Sequence, residues 1–361
     1  MTSRAIARRR THNQHVWSPL DIPSDVVASL GAMQSQEFRI ALWSVAQRTG
    51  GVDENGMRRA FDNGTILRTH ILRPTWHFVS AGDIRWLMAL SGPRVDSLNM
   101  YRYRQLELDE KLLVKTTKRI AKSLSGGVHL TRRELGEDLR RARVSIDGQR
   151  LAYIVMRAEL EGVICSGPLR GKQHTYALLD ERAPKAKNMS RQESLEELAR
   201  RYFTSHGPAT LKDFSRWSSF TMSDCRSGLE AVQSELRREK SGDRTYWSNR
   251  SSRPPARRAT TVDLVQIYDE LVMGYSDSRD ALRPPDISDP PSVSTPLMHA
   301  VLLDGQLIGH WKDIHTKEGV TVETSLFRSL KPVEEKALGH SVERYGRFIG
   351  TTARLVTAIR P

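Results

Sequence analysis

Residues 30–48 read Leu-Gly-Ala-Met-Gln-Ser-Gln-Glu-Phe-Arg-Ile-Ala-Leu-Trp-Ser-Val-Ala-Gln-Arg, a loop that runs into a helix. Phe38, Leu42 and Val45 recur at the i, i+4, i+7 spacing of one helix face. This spacing predicts a helix over residues 36–48 with one apolar face directed to a core. The entrance to the helix is its unusual part, because two glutamines stand there beside a loop-like Gly-Ala-Met run.

Gln34 and Gln36 flank Ser35 at this entrance and are the candidate catalytic residues. Each amide offers donors and an acceptor without ionising, so the pair can converge on one small object. Side chains two residues apart in a helix diverge by about 200°. A joint role therefore requires an extended chain here, where alternate side chains point the same way. The alternative is a capped helix that carries two exposed glutamines.

The charge balance favours a polyanionic partner. The chain has 361 residues, and its 56 Lys and Arg against 42 Asp and Glu give a net charge of +14. Nucleic acid is favoured over a membrane, because the chain lacks the run of about 18 apolar residues that a spanning helix needs. The N-terminus lacks the apolar stretch of a secretory signal, so a cytoplasmic, nucleoid-associated location is expected. Cys165 and Cys225 are isolated, which predicts neither a zinc site nor a disulfide framework.

The order of predicted elements indicates an α+β protein with winged-helix-like modules in tandem. Helices followed by a β-hairpin are typical of a winged helix, and this order occurs twice, while a helix-turn-helix pattern suggests a third module. The predicted units are a basic tail at 1–16, winged helices at 17–105, 106–182 and 191–258, and a β-barrel-like unit with a helix at 259–361. Linkers are predicted at 183–190 and 248–260, and a loop at 283–295. The tail, with Arg4, Arg8, Arg9 and Arg10, is interpreted as an arm on DNA phosphates or a frayed terminus.

The first predicted hairpin joins strands at 66–70 and 75–79 and is rich in cations. Its candidate DNA-binding residues are Arg68, His70, Arg73, Trp76 and His77. Cations interleaved with an aromatic ring suit a nucleic-acid groove, whereas core packing is the alternative for Trp76 and His77. The second hairpin, with strands near 163–168 and 174–179, adds Arg170 and Lys172 at its turn.

The remaining elements are predicted from caps and turns. Thr131 with Glu134, and Thr210 with Asp213, have the spacing of capping boxes that open helices. A candidate recognition helix is predicted from about 221 to about 238. In the C-terminal unit, strands are predicted at 261–265, 297–311 and 320–327, with a hairpin turn at Asp304-Gly305 and a helix at 333–348.

Several of these segments together resemble the AlkZ/YcaQ family of bacterial winged-helix DNA glycosylases, which repair alkylated bases and interstrand crosslinks. The resemblance is carried by four ordered stretches, at residues 33–36, 67–77, 268–279 and 304–311. It implies three tandem winged helices that brace a β-barrel in a C-shaped molecule. It also implies that the family's Gln-hydrophobic-Gln catalytic motif falls on Gln34 and Gln36, although Ser35 stands where the family usually has an apolar residue.

The resemblance implies hydrolysis of the N-glycosidic bond of N7-alkylguanine-type purines in double-stranded DNA, including interstrand crosslinks. An N7- or N3-alkylated purine is cationic and already a good leaving group, so neutral amides need only position water and stabilise the developing charge. No metal motif and no phosphate-binding glycine loop occurs in the sequence. We therefore expect no cofactor and no metal. We also expect a monomer. The alternatives are a winged-helix transcriptional regulator, in which the glutamines read bases, and a structural protein on undamaged DNA.

Overall fold

The computed structural model describes residues 1–185, 189–251, 259–285, 287 and 299–359. The predicted linkers at 183–190 and 248–260 and the loop at 283–295 lie partly outside the described residues, as do the first two residues of the strand predicted at 297–311. Within the described part, helices and strands are mixed as an α+β chain requires. No helix there combines the length and the apolarity that crossing a membrane demands.

The first sixteen residues are not a tail. Helix α1 (Ser3–Asn13) buries Ile6 and Ala7 against the rest of the protein. Its arginines all contact other parts of the chain: Arg4 and Arg8 pair with Asp304, Arg9 pairs with Glu239, and Arg10 donates to the carbonyls of Pro208 and Ser278. The segment is therefore a docked helix, because acidic and carbonyl partners that are distant in sequence take up its charges. This corrects the prediction of a basic tail or an arm on DNA.

The region predicted as the first module has the expected order of helices and a hairpin. Its elements are α2 (Pro23–Leu30), β1 (Met33–Gln34), α3 (Phe38–Ala46), α4 (Glu54–Asp62), β2 (Ile66–His70), β3 (Trp76–Ser80) and α5 (Ile84–Gln105). The sheet order is β1-β3-β2, with all pairs antiparallel. Helix α3 begins two residues later than predicted, because Ser35 still follows the edge of β3 and donates its N–H to the carbonyl of Trp76 at 2.8 Å.

The second region repeats the order. It contains α6 (Glu110–Leu124), β4 (Leu130–Thr131), α7 (Arg132–Arg141), α8 (Arg150–Leu160), β5 (Ile164–Ser166), β6 (Thr175–Leu178) and α9 (Leu179–Arg182). The predicted capping box is confirmed, since Thr131 accepts from the Glu134 N–H while the Glu134 carboxylate accepts from the Thr131 N–H. The second hairpin, β5 with β6, is also present.

The third region differs from the prediction at its recognition-helix candidate. Its elements are α10 (Arg191–Ser205), α11 (Leu211–Ser218), α12 (Met222–Val232), β7 (Leu236–Ser241) and β8 (Arg244–Asn249). The helix was predicted to reach about residue 238, but it ends at Val232 and the chain turns into a hairpin. Gly242 has a φ of +57°, which permits the tight turn that pairs β7 with β8. The capping box of Thr210 with Asp213 is confirmed.

The C-terminal region is a five-stranded sheet with a helix. Its elements are β9 (Val262–Val265), α13 (Glu270–Met273), β10 (His299–Leu303), β11 (Gln306–His315), β12 (Val320–Leu326), α14 (Pro332–Ile349) and β13 (Ala353–Ile359). The strand order is β13-β12-β11-β10-β9. The hairpin turn at Asp304-Gly305 is confirmed, with φ of 50° and 82°. Strand β13 was not predicted; it lies parallel to β12, and α14 provides the long connection that parallel strands require.

One apolar core joins α3 and α4 to the C-terminal sheet and helix. At its edge, the Trp43 indole N–H donates to the carbonyl of Leu264 at 2.7 Å. Arg48 and Asp269 form an ion pair at 2.7 Å with both side chains fully buried. A buried pair of this kind is costly to break from one side only, so it fixes the register of α3 against the segment after β9. That register places the glutamine segment beside residues 266–270.

Candidate active site around Gln34 and Gln36

Gln34 lies in an extended segment, as a joint role of the two glutamines requires. Strand β1 pairs with β3, with Gln34 opposite His77. The Ser35 N–H continues this pairing, and α3 begins at Phe38, so both glutamines precede the helix. The two glutamines are buried unequally: Gln34 is 4% exposed, whereas Gln36 is an exposed residue.

Gln34 is held at three points by residues from other elements. Its N–H donates to Oε1 of Glu270 at 2.9 Å, and its carbonyl accepts from Nε2 of Gln266 at 3.2 Å. Its side-chain oxygen accepts from Nη2 of Arg73 at 3.1 Å. Since a guanidinium can only donate, this contact requires the amide oxygen to face Arg73. Within the described residues the amide nitrogen of Gln34 has no hydrogen-bond partner, so its two donors remain available.

Glu270 is a buried carboxylate directly behind Gln34. Its second oxygen accepts from the indole N–H of Trp217 at 2.7 Å and lies 3.4 Å from Nε2 of His206. Burial alone raises the pKa of this carboxyl, but the His206 hydrogen bond, the Arg73 charge and the Gln34 N–H together lower it to about 2. Glu270 is therefore a permanent negative charge under the glutamine segment near neutral pH.

Two histidines lie near this carboxylate, and burial lowers the pKa of both. Burial lowers the pKa of His206, and burial followed by the nearby Arg73 charge lowers the pKa of His77 to about 3. Nδ1 of His77 lies 2.9 Å from the carbonyl of Thr75, so it carries the proton and donates. Nε2 then accepts from Nη2 of Arg73 at 3.2 Å. His77 thus helps to aim Arg73 at Gln34.

Gln36 is placed by the same hairpin but faces solvent. Its side-chain oxygen accepts from the backbone N–H of Trp76 at 3.3 Å. Nε and Nη2 of Arg68 donate to the carbonyl of Ser35 at 3.1 and 2.9 Å, and Nη2 also lies 3.3 Å from the carbonyl of Gln36. Because the backbone N–H of Trp76 must donate, the atom of the Gln36 side chain that faces it is the oxygen and not the nitrogen.

Three residues predicted to contact DNA are instead buried and contact other residues of the protein. Arg68, His70 and His77 are 7%, 6% and 0% exposed. Arg68 stacks over the ring of Trp76, with the guanidinium carbon 4.4 Å from the ring centroid, and Nδ1 of His70 lies 2.7 Å from the Glu159 carboxylate. Their polar groups have protein partners, since the second hairpin and α8 cover this side of the first hairpin. The prediction of direct groove contacts by these three side chains is therefore corrected.

The remaining candidates lie closer to solvent. Arg73 and Trp76 are partly buried beside the glutamines, whereas Arg170 and Lys172 are exposed at the turn of the second hairpin. Arg170 pairs with Glu134 at 2.7 Å. No contact joins Arg170 or Lys172 to the glutamines among the described residues, so the structure groups the first-hairpin residues with the pair and leaves the second turn apart.

Glu270 was not among the candidate residues predicted from the sequence. It lies in the stretch at 268–279 that carries part of the family resemblance, which was the available signal. The site thus contains two neutral amides, one buried carboxylate and two guanidinium groups, those of Arg73 and Arg68. These groups can orient a water molecule and stabilise a developing cation, but no amide can titrate as a general base. Among the described residues, no three His, Cys, Asp or Glu side chains converge as metal ligands.

Comparisons with known proteins agree with this arrangement. A family model described as DNA glycosylase AlkZ-like matches residues 27–348. An interstrand DNA cross-link repair glycosylase from Streptomyces sahachiroi is 26% identical over 333 residues, covering 87% of this chain and 88% of the relative. The solved structure of the Streptomyces sahachiroi DNA glycosylase AlkZ superposes with a TM-score of 0.80 at 21% identity, with both chains covered completely.

Proposed function

The chain belongs to the AlkZ-like DNA glycosylase family, and from that premise we propose that it releases N7-alkylated purines from double-stranded DNA, including purines in interstrand crosslinks. The crosslink part of the proposal is supported by the name of the relative that shares 26% identity over 333 residues. Family membership favours a glycosylase, which hydrolyses N-glycosyl bonds, over the alternative of a transcriptional regulator. We further propose that it acts as a monomer built from the three winged-helix modules and the C-terminal unit predicted from the sequence.

Gln34 and Gln36 are proposed to hold the attacking water between them. The single observation that supports this role best is that each amide oxygen is already engaged by a donor of the first hairpin. Gln34 therefore presents its N–H groups, which can donate to the water oxygen. Gln36 keeps a second lone pair on its oxygen, which can accept a water proton. Donor and acceptor on one water molecule orient its remaining lone pair toward the sugar carbon, and after the attack the surplus proton of the water passes to solvent, since neither amide can take it.

Glu270 is proposed to stabilise positive charge in the transition state. Departure of a cationic base leaves an oxocarbenium-like sugar, and a fixed carboxylate in a water-poor site lowers the energy of such a cation. Because Glu270 contacts the Gln34 N–H rather than open solvent, it acts through space and through the peptide dipole. The leaving base is neutral and needs no proton from the protein, which fits a site whose carboxyl group, Glu270, is ionised near neutral pH.

Arg73, Trp76, Arg170 and Lys172 are proposed to contact DNA. Arg73 and Trp76 lie beside the glutamines, and the second turn carries two exposed cations. A partly buried arginine on the first hairpin and two exposed cations on the second suit the phosphate backbone of a duplex.

The test is incubation with a duplex that carries one N7-methylguanine and, separately, with a nitrogen-mustard crosslink. We expect abasic sites in both, visible as strand cleavage after heat or base treatment. Strand cleavage in the methylated duplex alone would limit the proposal to single adducts. A protein that binds both duplexes but creates no abasic sites would be a binding protein without this activity.

A further inference from the structure

A small pocket opens beside Gln36 and is not explained by the proposed handling of water. It has a volume of about 190 Å³ and lies between the first hairpin, the second hairpin and the start of α7. Its lining combines aromatic, hydroxyl and cationic side chains: Arg68, Trp76, Arg132, Ser166, His174, Thr175 and Tyr176. Trp76 joins the pocket to the candidate active site, because its backbone N–H donates to Gln36.

Two aromatic rings form walls of the pocket. The ring centroids of Trp76 and Tyr176 lie 6.5 Å apart with an interplanar angle of 40°. Burial, and then the Arg68 charge, lower the pKa of His174 to about 4, so this third ring is neutral. Pockets for larger ligands have volumes of about 300–1,000 Å³. At its smaller volume, this pocket has room for a single planar ring system.

The two charged side chains that line the pocket are arginines, whereas the nearby Glu159 carboxyl is fully buried against His70 and does not line it. Arg68 forms the inner side and is committed to the carbonyl of Ser35. Arg132 is exposed at the mouth, and within the described residues its guanidinium has no hydrogen bond or ion pair. It is the first residue of α7, a ten-residue helix whose N-terminal N–H groups add partial positive charge. The nearest carboxylate of that helix, Glu134, is occupied by Thr131 and Arg170.

These charges distinguish between the two kinds of base at a lesion. An N7-alkylated purine base is a cation and is repelled by two guanidinium groups, whereas an undamaged base is neutral and is not repelled, and the phosphate of its nucleotide is attracted to an arginine. Aromatic walls with an arginine at the rim are a common way to hold an unpaired nucleotide, by contact with the base and an ion pair to its phosphate. We infer that this pocket holds one undamaged, unpaired nucleotide next to the excised base, with the base among Trp76, His174 and Tyr176 and the phosphate at Arg132.

The inference rests on the proposed function, because that function places Gln36, which lies beside the pocket, at the water that attacks the reacting sugar. The nucleotide has two possible sources, the strand opposite the lesion or the neighbour on the same strand. In both cases the protein separates the damaged base, which stays outside the pocket, from a neutral base inside it. Such a subsite would keep the duplex open while a base that is tied to the other strand is released.

The experiment uses the full chain and a duplex with a stable abasic-site analogue. The fluorescent base 2-aminopurine is placed either opposite the analogue or beside it on the same strand, and a fully paired duplex serves as reference. We expect a change of fluorescence on binding in one of the two positions, which identifies the source, and none in the paired duplex. Unchanged fluorescence in both positions would overturn the inference.

Arg132→Gln and Arg133→Gln provide a matched pair. Both arginines are exposed in the first turn of α7, and both substitutions remove one charge, but Arg133 pairs with Glu137 and does not line the pocket. We expect Arg132→Gln to weaken binding of the analogue duplex about 10-fold, the size of one lost charged hydrogen bond, and to abolish the fluorescence change. Arg133→Gln should alter binding less than 2-fold. Equal weakening by both variants would mean general charge attraction and no pocket.

Release of N7-methylguanine by the unsubstituted protein tests the proposed function independently of the pocket. If the base is released but 2-aminopurine never responds, the pocket inference fails and the proposed function stands. If no base is released, the proposed function fails whatever the pocket binds. Trp76→Leu gives a second reading, because loss of the aromatic wall should reduce the fluorescence response even where binding persists.

Discussion

Gln34 and Gln36 carry the same side chain two residues apart, yet their surroundings differ at every level. Gln34 is 4% exposed and is held by Arg73, Gln266 and Glu270, which come from the first hairpin and the C-terminal region. Gln36 is exposed and borders the aromatic pocket between the two hairpins. The first glutamine lies between the Glu270 carboxylate and the Arg73 guanidinium, whereas the second lies beside the Arg68 guanidinium.

This contrast explains how two groups that cannot titrate can perform different tasks. An amide contributes whichever of its atoms the protein leaves free. Arg73 occupies the oxygen of Gln34 and leaves its donors, and Trp76 leaves Gln36 one further acceptor position. The proposed roles therefore depend on the hairpin. Substitutions that remove the amides, the Glu270 charge or the hairpin cations test each part of the comparison.

The largest expected effect comes from the amides themselves. We expect Gln34→Ala or Gln36→Ala to slow release of N7-methylguanine by about 10²-fold, the usual cost of losing one preorganised polar group. DNA affinity should change little, because backbone contacts dominate it. Single-turnover kinetics and a binding titration measure the two quantities.

The double variant sharpens the comparison. If both amides hold one water molecule, the double alanine variant should be little slower than either single variant, as for groups that act as a unit. Losses that multiply would instead mean two separate tasks. Gln233→Ala, at an exposed glutamine of the third region, is the control and should keep the native rate.

The next effect concerns the charge under Gln34. We expect Glu270→Gln to slow base release about 10-fold and to destabilise the fold by about 1–3 kcal/mol, because an amide cannot accept from both Gln34 and Trp217 and leaves a buried donor unpaired. Thermal denaturation and single-turnover rates measure both. Glu335→Gln removes an equal charge at an exposed position of α14 and should change neither. A native rate in Glu270→Gln would remove the carboxylate from the mechanism.

The pH dependence of stability has a defined sign for Glu270. Its pKa is lowered from 4.5 to about 2 in the folded protein, so its contribution is fully present above pH 4.5 and is lost as the pH falls toward 2. In Glu270→Gln this part of the acid dependence should be absent. A variant with an acid denaturation profile parallel to that of the native protein would contradict the lowered pKa.

The fold and the Gln34–Gln36 segment could be predicted from local patterns, but the groups around the segment could not. Helical spacing, caps and turns are read from neighbouring residues, and the requirement for an extended chain at the glutamines followed from helix geometry. Glu270 reaches Gln34 across 236 positions of sequence. The burial of Arg68 and His70 depends on the second hairpin and α8, whose position no pattern in the first module encodes.

The same reason explains the error at the N-terminus. An arginine-rich segment is typical of a solvated tail, and α1 docks only because Asp304, Glu239 and the carbonyl of Pro208 are presented by distant elements. In the third region, the predicted helix extends beyond the observed end at Val232, because the pairing of β7 with β8 is decided by the turn at Gly242.

A smaller effect is expected at His77, which aims Arg73. Burial lowers its pKa from 6.5 to about 3, so its contribution to stability is present above pH 6.5 and is lost as the pH falls from 6.5 toward 3. His77→Gln keeps a donor for Thr75 and an acceptor for Arg73 but cannot titrate, so stability between pH 6.5 and 4.5 should fall less steeply than in the native protein. His340→Gln, at an exposed histidine, should leave the slope unchanged.

The smallest expected effect concerns the exposed turn of the second hairpin, and it tests whether this turn touches DNA at all. If the protein follows the duplex backbone, log K should fall linearly with log salt, and each lost phosphate contact should reduce the slope by about 1. Lys172→Ala should show this full reduction. Arg170→Ala should show less, because Glu134 already balances its charge at 2.7 Å.

Lys317→Ala is the control for Lys172→Ala, since Lys317 is also an exposed lysine but lies in the C-terminal sheet hairpin between β11 and β12. Both substitutions change the net charge equally, so long-range attraction alone predicts equal slopes for the two variants. A reduced slope in Lys172→Ala alone would place the second turn on the DNA backbone and extend the interface beyond the glutamines. Equal slopes would confine the DNA contacts to other surfaces. The first hairpin would then be the hairpin that the proposal still places on DNA.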